Sequence, residues 1–164
     1  MRPVPHVAAL VHATDPFARS FLEEIQAAAQ SLGIRIQPVV VQGAEEFDGA
    51  FTAMIHEGAE AVIIQPILAT PRAAALAVQH HLPTISPFGS FAEGGGLMTY
   101  ASNLAERWQI LTTYVDKILK GAMPADLPVA RSMKFDLVLN LKTAKALGIT
   151  IPPTLLFQAN EVIQ

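Results

Sequence analysis

The chain has 164 residues, the length of one domain of ordinary size. Its net charge of −3 gives no electrostatic reason to expect a nucleic acid or an anionic membrane as a partner. The absence of cysteine excludes disulfides, thiolate metal sites and cysteine nucleophiles. Hydrophobic residues make up 51% of the chain and charged residues 15%, so either the core is large or a partner covers some apolar surface.

The first half of the chain alternates apolar runs with amphipathic segments. Continuous apolar runs predict strands at 6–11, 34–41, 59–66 and 82–87, and the spacing of apolar residues predicts helices at 16–32, 45–57 and 70–81. Pro38 within the second strand indicates a position at the edge of a sheet. Apolar strands separated by helices are typical of parallel βαβ units covered on both faces. The sequence therefore predicts an α/β fold with a doubly wound parallel sheet.

From residue 88 onward this alternation changes. A glycine-rich loop at 88–96 and a strand at 97–102 precede a long amphipathic helix at 103–121, with Asn103 as its N-terminal cap. The elements predicted after a proline-rich loop are a strand at 134–140, a helix at 142–147, an extended stretch at 149–151 and a stop at the double proline 152–153. We therefore expect an α/β lobe at 1–102 and a C-terminal helix and strand appendage at 103–164.

Ligands of open α/β sheets bind at the carboxyl ends of the strands, so the residues that follow each predicted strand are candidates for binding. The candidate ligand-binding residues at or next to these ends are Thr14, Asp15, Gln65, Pro66, Phe88, Ser90, Tyr100 and Asn103. The first helix, predicted to start at Pro16, would offer free N–H groups and a partial positive charge to a carboxylate.

The polar candidates also have structural explanations. Thr14 and Asp15 equally fit a cap of the first helix. Gln65, a polar residue that ends an apolar strand, equally fits a hydrogen bond to a neighbouring loop. Both explanations stay open at the level of the sequence.

Aromatic residues surround the glycine-rich loop. Phe88, Phe91 and Tyr100 could form an apolar or stacking wall there, although packing is the commoner role of such side chains. The glycines at 94–96 lack the GxGxxG spacing and do not follow the first strand, so they favour a turn over a dinucleotide site.

The sequence has no arrangement typical of catalysis. GxSxG, HExxH, P-loop and paired-carboxylate patterns do not occur, and we therefore do not expect an enzyme. The adjacent His80 and His81 would point to different sides of a helix, which disfavours a metal site. We expect neither a cofactor nor a metal.

Four motifs in the last third of the chain carry a family resemblance. KILKG, PADLPV, LNLKTAKALGITIPP and ANEVI follow one another at tight spacing within residues 114–163. In this order they resemble the C-terminal signature of the ABC transporter substrate-binding protein family that includes tryptophan-binding lipoproteins. The stretch FAEGGGLMTYASNLAERW at 91–108 and the general run of 7–90 also resemble this family, so the likeness covers nearly the whole chain.

The resemblance implies a fold and a function. Members of this family are considerably longer and have two α/β lobes of periplasmic binding protein type I, with the ligand held in the cleft between them. This chain is similar to the second lobe and to the terminal segments that return to the first. The implied function is the solute-binding component, or a single-lobe remnant, of an ABC importer that binds a small organic solute such as an amino acid without catalysis. An ABC transporter permease would be its partner.

Several expectations follow from this resemblance. The segment 103–164 would pack on the other lobe, which leaves apolar faces at 103–121 and 134–157 that need a cover. We expect a homodimer through 103–157 that buries about 1,200–2,000 Å². Solute affinity should be weak or lost, because half of the clamp is missing. The alternatives are a ligand-independent dimerising or sensor module of the same family and, less favoured, a small α/β enzyme that uses the 88–96 loop and Asp15.

The resemblance also bears on location. It implies a periplasmic or extracellular-facing protein. The N-terminal stretch has a short apolar run but no small-residue cleavage site, which predicts a strand better than a signal peptide. A natural short protein of this sequence would therefore be expected in the cytoplasm.

Overall fold

The computed structural model describes residues 6–164. The expectation about a signal peptide concerns a stretch whose first residues lie outside this range. The strands are β1 His6–His12, β2 Arg35–Val41, β3 Ala61–Ile64, β4 Thr84–Ser86, β5 Met98–Ser102, β6 Phe135–Asn140 and β7 Glu161–Ile163. The helices are α1 Ala18–Leu32, α2 Phe47–His56, α3 Pro71–Gln79, α4 Leu104–Leu119, α5 Leu141–Ala146 and α6 Pro153–Gln158. Within this range, no helix is both long and apolar enough to cross a membrane.

The seven strands of residues 6–164 form one sheet in the order β2-β1-β3-β4-β5-β6-β7. Strands β1 to β5 run parallel, β6 runs antiparallel to β5, and β7 runs parallel to β6. The predicted α/β fold with a mostly parallel, doubly wound sheet is therefore confirmed. Pro38 lies in β2 at the edge of the sheet, as its missing N–H predicts.

The hydrophobic core lies between one face of the sheet and the helices α2 and α3. The strand register places Ala8 and Leu10 of β1 beside Val62 and Ile64 of β3, so these four side chains share one face. The helical side of this core is formed by the buried residues Phe47, Phe51, Met54, Ala73 and Ala77. We call this side of the sheet the core face.

The opposite face is covered by α1 over β1 and β2. Val7 and Ile63 line an apolar hollow there with Ile25, Ala28 and Leu32 of α1. Helix α1 ends at Gly33, whose φ of 67° is the left-handed conformation predicted for a glycine that terminates a helix.

Helix α1 begins at Ala18, two residues later than predicted. One carboxylate oxygen of Asp15 accepts a hydrogen bond from the Phe17 N–H at 2.8 Å, and the Asp15 carbonyl accepts one from the Ala18 N–H at 3.0 Å. The chain therefore completes a tight turn over residues 12–17 before the helix starts. The N-terminal cap is Phe17, with no side-chain hydrogen bond, so the prediction that Thr14 or Asp15 occupies the cap position itself is wrong.

The segment after residue 103 shares the sheet with the rest of the chain. Leu137, Val138 and Leu139 of β6 are buried, so the expectation of an uncovered apolar face along 134–157 is wrong for these three residues, whereas Phe135 and Phe157 are 49% and 90% exposed. Strand β6 lies inside the sheet, paired with β5 on one side and β7 on the other. The prediction that 103–164 packs on another lobe stays a prediction.

The end of the chain contains two elements that the sequence pattern did not predict. Pro153 starts α6 instead of stopping an element, because proline fits the first helical position, where no N–H is needed. The stretch 149–151 is irregular, and β7 follows α6. Asn160 fixes β7 beside β6: its N–H donates to the Leu137 carbonyl at 2.8 Å, and its side-chain oxygen accepts from the Leu137 N–H at 2.9 Å.

Helix α4 carries an uncovered apolar surface. Asn103 caps it as predicted, since its side-chain oxygen accepts the Glu106 N–H at 2.8 Å. None of the residues of α4 is buried. Five apolar residues, each 43% to 58% exposed, follow one another at alternating spacings of four and three: Leu104, Trp108, Leu111, Val115 and Ile118. This spacing places them on one side of the helix, and we call them the α4 stripe.

Another side of α4 contacts residues 128–134, which lead back to β6 and which we call the return segment. The Tyr114 hydroxyl donates to the Pro128 carbonyl and accepts the Ala130 N–H. The Glu106 carboxylate accepts from Ser132 and from the Met133 and Lys134 N–H groups. Helix α4 and the return segment therefore form one substructure beyond the sheet.

Candidate functional site

A cavity of about 510 Å³ lies at the carboxyl edge of the sheet. Strands β4 and β5 are parallel and β6 is antiparallel, so the ends of the first two meet the start of the third at this edge. The loop Pro87–Ser90 after β4, the first turn of α4 and Glu161 at the start of β7 complete the wall. The topology therefore places a ligand-sized hollow where open α/β sheets bind ligands.

The floor of the cavity is held by Thr99 of β5. Its hydroxyl accepts the Ala92 N–H at 3.1 Å and donates to the Phe88 carbonyl at 3.2 Å, which fixes the loop that carries Phe88 and Ser90. Ser86 pairs with Thr99 in the strand register and is fully buried. Its hydroxyl oxygen has no hydrogen-bond partner among the described residues.

The wall of the cavity carries charges of both signs. Asp136 is partly buried, and its two carboxylate oxygens accept from the Asn103 side-chain amide at 3.0 and 2.8 Å. Arg107, Glu93 and Glu161 line the same cavity and are exposed. The wall thus presents the guanidinium of Arg107 and the carboxyl groups of Asp136, Glu93 and Glu161 to the same cavity.

Glu106 stabilises the approach to β6 from outside the cavity. A hydrogen bond from the Ser132 hydroxyl, followed by that from the Lys134 N–H, holds the pKa of this carboxyl below its ordinary value of 4.5. The Asn103 N–H in turn donates to the Lys134 carbonyl at 2.9 Å. These bonds fix the end of the return segment and, with it, the position of Asp136.

The structure brings some of the predicted site residues to the cavity. Phe88 and Ser90 line it directly, with Phe88 44% exposed. Asn103 borders it through Asp136. Asn103 thus both caps α4 and orients a charged side chain of the wall.

The other predicted polar residues form a separate cluster at the ends of β1 and β3. Gln65 is 2% exposed; its side-chain oxygen accepts the His12 N–H at 2.8 Å and its amide donates to Asp15 at 2.9 Å. Thr14 lies 3.3 Å from the His12 ring nitrogen. Pro66 is exposed and begins a 3₁₀ turn, Pro66–Leu68. Gln65 therefore holds the β1 loop in place, at the same edge of the sheet as the cavity but outside its lining.

The proposed aromatic wall is not formed. Phe91 is 1% exposed and belongs to the hydrophobic core. Tyr100 alternates with Thr99 and Ala101, which line the cavity, so its ring lies on the opposite face, stacked on Phe135 at 5.4 Å. Phe88 is the member of this aromatic set that reaches the cavity.

The sequence pattern did not predict several charged and polar residues of the wall. They are Glu93, Ser102, Arg107, Asp136 and Glu161. Among these residues, only Asp136 can be singled out from the sequence, because it is the charged residue that interrupts an apolar strand. Its role depends on the antiparallel register of β6, which places it opposite Ala101.

Comparisons with known proteins identify one matching family model and several solved structures with the same fold. The family model described as ABC transporter substrate binding protein matches residues 3–163. The ABC domain of Streptococcus pneumoniae, solved in complex with L-Trp, is 27% identical with a TM-score of 0.82, over 98% of this chain and 57% of that chain. A conserved domain protein from Vibrio cholerae is 23% identical with a TM-score of 0.81, over 97% of this chain and 55% of that chain.

A third solved structure shows the same fold at lower identity. The ligand-free, open form of a substrate-binding protein with adhesive properties from Clostridium difficile is 18% identical, with a TM-score of 0.76 over 97% of this chain and 54% of that chain. The chain thus spans a little over half of the length of each of these structures. No curated protein matches the sequence.

Proposed function

We propose that this chain, which belongs to the ABC transporter substrate-binding protein family, binds a small organic solute for an importer and does not transform it. The observation that carries the proposal is the cavity at the carboxyl edge, with Phe88 and Ser90 on one side and Arg107 and Asp136 on the other. This is the edge at which open α/β sheets bind ligands. The permease of the importer is the proposed protein partner, and an extracellular-facing site of action follows from the family.

We further propose that the solute is an amino acid. An amino acid carries one ammonium and one carboxylate, which match Asp136 and Arg107 in the same wall. Phe88, 44% exposed, offers an apolar surface for a side chain. The similar structure from Streptococcus pneumoniae was solved with L-Trp, which supports this class of solute.

The residues at the ends of β1 and β3 take a second role in this proposal. They form the rim of the same edge and would contact a larger solute or a protein domain that covers the cavity; these residues are Thr14, Asp15, Gln65 and Pro66. Gln65 positions Asp15 and does not itself contact the solute, because its side-chain oxygen and its amide nitrogen both form hydrogen bonds within the protein. Asn103 acts by orienting Asp136.

The 164-residue chain is also proposed to form a homodimer. The α4 stripe is the observation that favours it, since a row of half-exposed apolar residues along one side of a helix is typical of a contact surface. The same stripe favours the second candidate function, a ligand-independent dimerising module of the family. In a longer two-lobed relative, the segment 103–164 is proposed to contact the other lobe.

Isothermal titration calorimetry with L-tryptophan and a panel of other amino acids tests solute binding. Arg107→Gln removes the proposed carboxylate partner, and Arg131→Gln serves as the control because Arg131 is exposed and lies outside the cavity lining. A hydrogen bond to a charged group contributes about 1.5–3 kcal/mol, so Arg107→Gln should weaken binding by about 10-fold or more. Equal affinities of the two variants would contradict the proposed site. An assembled protein that binds none of the amino acids would favour the dimerising module.

A further inference from the structure

The motif LNLKTAKALGITIPP, residues 139–153, lies outside the cavity lining. Strand β6 ends within it at Asn140, and helix α5 follows. Two of its polar residues are buried, Asn140 at 5% exposure and Thr143 at 7%. Buried polar side chains form hydrogen bonds, so the partners of these two show what the motif holds in place. Both donate to the loop that joins β4 to β5, residues 87–97, which we call the cavity loop.

Three hydrogen bonds fasten the second half of the cavity loop. The side-chain amide of Asn140 donates to the Ala92 carbonyl at 2.8 Å, and its backbone N–H donates to the Leu97 carbonyl at 2.9 Å. The Thr143 hydroxyl donates to the Gly95 carbonyl at 2.9 Å. Gly95 has a φ of 102°, a conformation that favours glycine, so this turn depends on its own sequence as well. The junction of β6 and α5 therefore holds the cavity loop at three backbone carbonyls.

Ala92 connects this junction to the cavity lining. It is fully buried, and its N–H donates to the Thr99 hydroxyl at 3.1 Å. The same hydroxyl donates to the Phe88 carbonyl at 3.2 Å. Asn140 and Thr99 therefore hold the carbonyl and the N–H of one residue. The lining residues of the cavity loop lie on both sides of Ala92 in the chain, and they are Phe88, Gly89, Ser90 and Glu93.

Strand β6 also carries another wall of the cavity. Asp136 and Val138 line it, and Asn140 follows Val138 by two residues. The three side chains therefore share one face of the strand. The first two form the wall, and the third holds the cavity loop. The separation of this wall from the cavity loop is thus set within one strand of six residues.

We propose that Asn140 is a positioning residue of the solute site, which fixes the cavity loop relative to the wall on β6, with Thr143 in support. The role toward a solute rests on the proposed function, whereas the hold on the loop does not. A loop that is already fixed loses little conformational freedom when a solute binds, which favours binding. One neutral hydrogen bond corresponds to a factor of about 2–10 in an equilibrium constant. Affinity falls with the fraction of molecules whose loop is in the binding position.

Asn140 also has a purely structural explanation, because it caps α5. Its side-chain oxygen accepts the Thr143 N–H at 3.0 Å. Asn140→Ser separates the two roles, since serine is a good N-terminal cap but lacks the amide that donates to Ala92. Thr143→Val removes the hydroxyl that donates to Gly95, whereas Thr143→Ser retains it.

Hydrogen exchange measures the hold on the cavity loop. The Gly94 and Gly96 N–H groups donate to carbonyls within the loop, both at 3.0 Å. We expect Asn140→Ser to lower the protection factors of these two amides by about 2- to 10-fold, because the loop opens locally more often. Thr143→Val should lower them as well, and Thr143→Ser should restore them.

Isothermal titration calorimetry measures the role toward a solute, with L-tryptophan, L-leucine, L-lysine and L-glutamate as probes. Asn140→Ser should weaken the binding of the probe that the unsubstituted chain binds most tightly by about 2- to 10-fold. Ile64→Val is the matched control, because Ile64 is buried in β3, two strands from β5, and this change costs about as much stability as a lost hydrogen bond. Its affinity should stay unchanged, since nearly all molecules remain folded.

The two measurements distinguish the possible failures. If Asn140→Ser changes neither the protection factors nor the affinity more than Ile64→Val does, Asn140 is a cap only and the proposal is overturned. Lower protection with unchanged affinity would overturn the role toward a solute. Equal effects of Thr143→Val and Thr143→Ser would overturn the part assigned to Thr143. If the unsubstituted chain binds none of the probes, the proposed function fails, and the protection factors alone decide whether Asn140 fixes the loop.

Discussion

Gln65→Leu tests whether the buried glutamine holds the β1 loop. Gln65 is 2% exposed and makes two hydrogen bonds, one from the His12 N–H at 2.8 Å and one to Asp15 at 2.9 Å. The substitution leaves the His12 N–H without its partner, which costs about 1–3 kcal/mol. The bond to the Asp15 carboxylate contributes about 1.5–3 kcal/mol, and the greater burial of apolar surface by leucine offsets a comparable amount. The net destabilisation should be about 2 kcal/mol.

Thermal unfolding measures this effect. For a chain of this length, 1 kcal/mol lowers the Tm by about 2–4 °C, so Gln65→Leu should lower it by about 4–8 °C. Gln79→Leu is the matched control, because Gln79 is exposed on α3 and surface substitutions stay within about 0.5 kcal/mol. If Gln65→Leu unfolds at the same temperature as the control, the hydrogen bonds of Gln65 do not hold the loop.

Three further predictions concern the floor and the support of the site. Gly96→Ala should lower the free energy of unfolding by about 1–3 kcal/mol, because the added methyl group would overlap the buried Phe91 ring. Denaturant titration measures this loss against Gly49→Ala, where the space is open, and equal stabilities of the two variants would contradict it. Asn103→Ala should cost about 1 kcal/mol through the lost cap of α4, which the same titration detects, and an unchanged midpoint would count against the cap. The pKa of Glu106 is lower in the folded protein than its ordinary value of 4.5. The stability that its hydrogen bonds give to the return segment is therefore fully present above pH 4.5 and is lost as the pH falls through the pKa of the folded state. The protection factors of the Met133 and Lys134 amides against hydrogen exchange, which correct for the slower intrinsic exchange at low pH, should therefore fall in acid, and Glu106→Gln should lower them at neutral pH; protection unaffected by the substitution would refute this role.

The sequence predicts the first part of the fold well because local and tertiary preferences agree there. The apolar runs of β1 and β2 form strands close to their predicted bounds, and the proline in β2 lies at a sheet edge where its missing N–H is harmless. Asn103 caps α4 because its side-chain oxygen accepts the Glu106 N–H, which has no acceptor within the helix. These signals act over a few residues, so a single sequence reveals them.

Prediction fails where structure depends on distant partners. The double proline predicts a stop at Pro153, but the short helix α6 starts there and leads to β7, which pairs with β6. Asp136 and Glu161 reach the cavity only because β6 reverses direction beside β5. In the sequence, Gln65 fits a ligand site and a hydrogen bond to a neighbouring loop equally well, and only the structure shows that it bonds to His12 and Asp15.

A titration of the ¹⁵N-labelled protein with amino acids, followed by NMR, tests whether the cavity at the carboxyl edge binds a solute, because it detects even weak binding. We expect a bound amino acid to shift the amide signals of the residues around this cavity, which include Phe88, Ser90, Ser102, Arg107 and Asp136. Signals of the β2 edge strand should stay in place. Shifts confined to regions outside the cavity, or no shifts with any amino acid at millimolar concentration, would contradict a solute site at this edge.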